Sequence, residues 1–289
     1  MKPPLVDEFV AAATSGEDNL PHCALLMARV AYPDLDPSPF LRQLRQMGDT
    51  ARDHLEIGLG GSPPWRTRLR IVTEFVYGQL GFVGNHEQYD DPRNSLFNDV
   101  LSRRMGIPIT LAVVFIDVAR RAGLVVEGVN FPGHFLVRCL PDAADQTDSA
   151  PLLLDPFHAG TLLTDADCVR LLRTHQGVEA MLEPGMFGTA GKRDILLRML
   201  SNLKRAYVRL RSFAQAHAVT DLLVALDPAA LTELRDRGLL ASHLQECAWA
   251  LRDLETWLRL APVSDDERDE RKQVWDHVKD LRRRMASLN

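Results

Sequence analysis

Over the first eighty residues the apolar positions recur at helical spacing and are interrupted by proline and glycine. Leu20 to Ala31 reads as a helix that stops at Tyr32-Pro33, and Ser38-Pro39 opens another, with proline in the first turn where its missing N–H costs little. Residues 58–64 (GLGGSPP) are a loop by composition, and a further helix runs through Ile71, Phe75 and Val76 to Gly81. After a polar, turn-rich stretch at 84–93, Asn94-Ser95 supplies side-chain acceptors for the first turn of a helix reaching Arg104, which Gly106 closes. From Ile109 to Ala122 almost every position is apolar, so periodicity alone does not separate a buried helix from a strand. Length and termini do. About fourteen residues is long for a strand, and Arg120-Arg121 ahead of Gly123 matches a helix C-terminus with a left-handed cap.

The period then changes. Leu124–Asn130 and His134–Leu140 are β-rich runs separated by Phe131-Pro132-Gly133, a turn sequence, and are expected to pair antiparallel. The insert at 142–149 reads as a surface loop, and Leu152-Leu153-Leu154 as a third strand ending in Asp155-Pro156. One helix group plus one sheet gives an α+β domain with a helical lead-in.

Beyond Gly191 the pattern is helical throughout and repeats itself. Ala225-Leu226-Asp227-Pro228 recurs as Arg259-Leu260-Ala261-Pro262, a shift of about 34 residues, the tetratricopeptide period. The same shift superposes Leu200 on Leu234, Leu210 on Leu244, Ala214 on Ala248, Ala216 on Ala250 and Leu226 on Leu260. With two repeats visible, the helix from Asp265 to Leu288 is expected to cap the array. The expected division is therefore 1–190 and 191–289.

Composition narrows the function. The chain has 289 residues, 46% hydrophobic and 25% charged, the profile of a soluble globular protein; no segment is expected to span a membrane. The start meets Asp7 and Glu8 before any long apolar run, so a signal peptide is not expected and the cytoplasm is the expected location. Cys23, Cys139, Cys168 and Cys247 are scattered without metal-ligand spacing, so neither a disulfide framework nor a zinc site is expected, and no cofactor is implied. A net charge of -5 leaves no electrostatic footprint for nucleic acid. His86, Glu87, Tyr89, Asp90 and Asp91 form a dense polar cluster that fits neither HExxH nor a calcium loop, and reads as a solvated loop.

The most specific stretch is NSLFNDVLSRRMGIPITLAVVFIDVARRAGLVVEGVNFPGHFLVR from Asn94, continued after the loop as LLLDPFHAG. It resembles the SirB family of bacterial proteins, which join a transglutaminase-like domain to tetratricopeptide repeats, and the resemblance spans nearly the whole chain. The wider transglutaminase and papain-like group uses a Cys-His-Asp triad, with the cysteine at the start of a buried helix, where the helix end favours the thiolate. By that resemblance His134 holds the general-base position and Asp155 the orienting one; the strand placement puts both at one end of the sheet.

The nucleophile is where the sequence departs. The central helix opens Gly106-Ile107-Pro108-Ile109-Thr110, with no cysteine or serine. Thr110 carries the sole hydroxyl there, a weak nucleophile that serves equally well as a helix cap. Cys139, five positions beyond His134 along a strand, is expected to face the other side of the sheet. Asn94, Ser95 and His158 are candidates for the walls of the same pocket, with capping the default for Asn94 and Ser95. A buried imidazole–carboxylate pair can also simply join two strands. Two functions follow: a non-catalytic regulatory or accessory protein that binds another protein or peptide through its tetratricopeptide region, or a hydrolase or amide-transfer enzyme with an unconventional nucleophile.

Overall fold

The structure, a computed structural model, describes residues 4–56, 63–142, 150–262 and 268–288. The expected loop at 142–149, but for Asp142, and most of that at 58–64 lie outside the described residues. Two compact units are present, residues 12–199 and residues 4–11 together with 200–288.

The larger unit opens with helices. α1 (Pro4–Thr14) enters it from the other unit and is followed by α2 (Leu20–Ala28), α3 (Ser38–Glu56) and α4 (Trp65–Thr73). The last continues as a π-helical segment, Glu74–Gln79, where the sequence predicts ordinary helix. A two-stranded parallel ladder joins β1 (Val83–Gly84) to β2 (Met105–Gly106), with α5 (Phe97–Arg103) between them. Gly106 is therefore a strand residue; α5 stops one step earlier, at Arg104 in the left-handed region (φ 54°), whose guanidinium donates to the Leu80 carbonyl at 2.7 Å. A tertiary contact, not a glycine, ends that helix.

α6 (Pro108–Arg121) is the central element. Every residue from Pro108 to Ala119 except Asp117 is buried, which explains why its sequence shows no polar face. Gly123, with φ 83°, terminates it. Beyond it lies a five-stranded antiparallel sheet in the order β6-β5-β4-β3-β7, built from β3 (Val125–Val129), β4 (Leu136–Leu140), β5 (Leu152–Asp155), β6 (Thr161–Leu163) and β7 (Thr189–Ala190). Val137 pairs with Leu154, so the strands carrying His134 and Asp155 at their ends are neighbours. α7 (Asp165–Gln176) follows β6 and starts from Thr164, whose hydroxyl and amide exchange bonds with Asp167 in a capping box.

α8 (Lys192–Arg209) leads into the second unit, which continues as α9 (Phe213–Leu226), α10 (Leu231–His243), α11 (Cys247–Leu260) and α12 (Arg268–Leu288). The 34-residue shift seen in the sequence is also written in the backbone. α9 and α11 begin and end one period apart, and the turns before them repeat atom for atom. Arg211 (φ 55°) and Gln245 (φ 63°) occupy the same left-handed position, and the Ser212 and Glu246 amides reach back to the Tyr207 and Ala241 carbonyls at 2.9 Å in both repeats. Ala216 and Ala250 are both fully buried, as small residues at a helix crossing should be. Gly238 on α10 serves the same end: a Cβ there would lie 2.8 Å from the Leu254 side chain. α12 packs Val274, Val278 and Leu281 onto α11. Among the described residues no helix is long and apolar enough to cross a membrane.

Candidate functional site

Asp155 closes β5 and is 2% exposed; His134 precedes β4 and is 5% exposed. The turn Phe131-Pro132-Gly133 aims the histidine, with the His134 amide donating to the Phe131 carbonyl at 3.1 Å and Gly133 at φ 71°. His134 Nε2 then lies 2.8 Å from Asp155 Oδ1. The same oxygen accepts the Phe157 amide at 2.9 Å, while Oδ2 lies 2.7 Å from His158 Nδ1. One buried carboxylate thus joins two imidazoles. Burial pushes the Asp155 carboxyl up, but the hydrogen bonds and charge of His134, and then of His158, outweigh it and hold the group below the usual carboxylate value. An ionised carboxylate only accepts, so each imidazole donates to it, and the neutral His134 ring is left with Nδ1 as its basic nitrogen.

Further aromatic groups converge from segments far apart in sequence. His175 on α7 stacks on His134 with ring centroids 6.2 Å apart, and Gly133 makes room for it, since a Cβ there would meet the His175 Cβ at 2.4 Å. Burial, then the charges of His134 and Arg198, push the His175 pKa below its ordinary value. His86 lies 4.4 Å from Phe157 and 5.3 Å from His158, and Tyr89 lies 5.8 Å from Phe157, centroid to centroid. The polar loop is exposed at residues 86–90, as the sequence predicts, and its His86 and Tyr89 rings lie against Phe157 beside the site. Gly84 permits this approach: a Cβ on it would lie 2.5 Å from the Phe157 carbonyl. On the π-helical segment, Tyr77 packs against Gly160 and is within electrostatic reach of Asp155; its buried hydroxyl has no hydrogen-bond partner among the described residues. π-helical turns are frequent at functional sites. Only such a turn, and no residue pattern, signals Tyr77.

The other candidates have structural duties. The Thr110 side chain is fully buried; its hydroxyl donates to the Asn94 carbonyl (2.8 Å) and accepts the Ile107 amide (3.1 Å), capping α6. Gly106 leaves it space, as a Cβ there would meet Thr110 Oγ1 at 2.6 Å. Asn94 and Ser95 do not cap α5, whose N-cap is Leu96. The Asn94 amide instead donates to the Gln88 and Tyr89 carbonyls (2.6 and 3.2 Å) and its oxygen accepts from Asn85, so it braces the loop that carries His86 and Tyr89. Ser95 is buried, its amide bonded to the Pro92 carbonyl at 2.8 Å. No thiol is activated at this corner: burial pushes Cys139 up to about 12, and Cys23 and Cys168 up to about 11.

The helical unit has a cavity of its own, about 570 Å³, lined by Val6, His217, Val224, Pro228, Glu246 and Trp249 among others. At its base Arg237 on α10 grips Asp253 on α11 (2.6 and 3.0 Å) and Asp221 on α9 (3.2 Å). Arg252 lies 4.1 Å above the half-exposed Trp249 ring.

Residues 38–201 match the transglutaminase-like superfamily, and residues 203–275 match the tetratricopeptide repeat. A UPF0162 protein of Xylella fastidiosa (strain Temecula1) is 38% identical over 256 residues, 86% of this chain and 87% of its own length. A UPF0162 protein of Vibrio cholerae is 29% identical over 197 residues, 68% of this chain and 71% of its own. F-box only protein 21 of Homo sapiens is 31% identical over 182 residues, 61% of this chain but 28% of that protein. No solved structure matches the chain.

Proposed function

The chain belongs to the transglutaminase-like superfamily, in the form shared with UPF0162 proteins and followed by a tetratricopeptide region, and from that premise we propose that it is a non-catalytic accessory or regulatory protein of the SirB type. Its transglutaminase-like pocket is degenerate, and its helical repeats bind a peptide or protein partner in the cytoplasm. The observation that carries this reading is the combination of an ordered His134–Asp155 pair with no thiol able to act on it. Acyl transfer in this fold requires a thiolate favoured by its surroundings, and burial works the other way at Cys139 and Cys168. The cavity of the helical unit, with apolar walls, an exposed tryptophan and fixed charges at its base, suits a peptide segment.

The experiment is partner capture from the native cytosol by wild-type protein and by Trp249→Ala and His134→Ala variants. Loss of the partner with Trp249→Ala and its retention with His134→Ala are expected. The reverse outcome in folded variants overturns a reading centred on the repeats. A second reading, hydrolase or amide-transfer chemistry, is favoured by one feature, the basic Nδ1 that the His134–Asp155 bond leaves for deprotonating a water. It requires turnover of amide or ester substrates that disappears in both His134→Ala and Asp155→Ala, and turnover insensitive to either change removes it.

A further inference from the structure

We propose that His134, Asp155 and His158 together bind one divalent first-row transition-metal ion. The inference concerns coordination alone and does not rest on the accessory reading, whose partner surface belongs to the helical unit.

The donor set has the chemistry of such a site. Two imidazole nitrogens and a carboxylate oxygen suit zinc and its first-row neighbours, whereas calcium and magnesium take oxygen ligands. The three donor atoms all lie within 4.8 Å of one another. The contacts to Asp155, 2.8 Å from His134 Nε2 to Oδ1 and 2.7 Å from His158 Nδ1 to Oδ2, are hydrogen bonds that need open by well under about 1 Å to reach the spacing of about 3.4 Å that tetrahedral bonds of about 2.1 Å produce around one ion.

Rigidity is distributed as a metal site requires. His134 and Asp155 are buried and fixed, and the Phe157 amide orients the carboxylate from behind, as outer-shell donors do at metal centres. The His158 side chain is 53% exposed, so its ring can swing through the remaining distance and leaves the solvent side of the ion open. His86, whose ring centroid is 5.3 Å from that of His158, stands near enough for a side-chain rotation to bring in a fourth nitrogen. Coordination through His134 Nε2 and His158 Nδ1 shifts the N–H proton of each ring to its other nitrogen, so that both bind as neutral imidazoles. Among the described residues this is the one group of three such side chains close enough to share an ion.

The test is a titration of the full-length chain, first freed of metal by a chelator, with Zn²⁺ in competition with a chromophoric chelator. One saturable equivalent is expected, unaffected by excess Mg²⁺. His158→Ala, which removes a half-exposed ring outside the core, should weaken the affinity at least about tenfold, the smaller loss expected even for residues one shell further out. His22→Ala should leave it unchanged. In wild-type protein, Co²⁺ should broaden the His134 and His158 imidazole NMR signals first, an assignment that needs no variant. Absence of a saturable equivalent, an unchanged affinity in His158→Ala, or broadening centred on other histidines overturns the proposal.

Discussion

Asp155 and Asp253 are both buried carboxylates held by nitrogen donors, yet they sit in opposite kinds of chemistry. Asp253, 3% exposed, is held by the guanidinium of Arg237, which also reaches Asp221, so one permanent charge links α9, α10 and α11. Asp155 is held by two imidazoles, each through a single ring nitrogen. The first arrangement can only fasten. The second leaves each ring a further nitrogen, and its outer imidazole faces solvent. One buried carboxylate therefore marks a structural joint in its unit, and the other a corner of imidazoles with ring nitrogens to spare.

The sharpest way to break this contrast is Arg237→Ala. It strands a buried carboxylate, and is expected to cost about 3–5 kcal/mol in guanidinium unfolding. A loss below about 1 kcal/mol would mean the joint is ornamental. Asp155→Ala is expected to cost less, about 1–3 kcal/mol, because it leaves hydrogen-bond donors unpaired and no permanent charge stranded. Equal losses at the two aspartates would erase the distinction between a guanidinium and an imidazole partner.

Acid should separate the two regions further. The folded-state pKa of Asp155 is depressed, so its contribution is complete above the ordinary carboxylate value near 3.8 and is lost as pH falls below it through the folded value. His175, also depressed, withdraws stability earlier, as pH falls below 6.5 toward its folded value. Asp221 behaves in the opposite sense. Burial raises it against the pull of His217 and Arg237, so acidification toward 3.8 relieves the helical unit. Stability measured from pH 7 to 3 in wild type, Asp155→Asn and Asp221→Asn should show the two mutants departing from wild type with opposite slopes. His134→Ala should also raise the His175 pKa in an NMR titration, though only part of the way, since burial is the larger cause.

The smallest expected effect lies in the repeat turns. Arg211 and Gln245 pay for a left-handed backbone that glycine adopts freely, so Gln245→Gly should stabilise by up to about 1 kcal/mol, and Arg211→Gly by a similar amount. Unequal shifts in Tm would show that the two turns are alike in shape but not in strain.

These turns also illustrate what the sequence conceals. The 34-residue period was legible because Ala216, Ala250, Leu226 and Leu260 are under packing constraints that repeat, but Arg and Gln give no sign of a left-handed residue. α6 was legible from its length and its Gly123 stop. Asn94 was misread as a cap because a local signal competes with tertiary bonds to Gln88 and Tyr89 that no spacing rule anticipates. At the site, His134, Asp155 and His158 stand out by strand-end position, whereas His86, His175 and Tyr77 reach the corner from three other segments. Only the folded topology reveals that convergence, and the π-helical turn carrying Tyr77 has no composition of its own.

The assignment of residues 4–11 to the helical unit bears on how the protein is made. This segment is synthesised before the helices it joins, which begin about 190 residues later, roughly 10–40 s at ordinary rates of synthesis. Val6, a lining residue of the helical cavity, must therefore wait through the synthesis of the whole larger unit without its neighbours. Closing the helical unit is therefore a long-range step, which waits for the residues of the transglutaminase-like unit to be made in between.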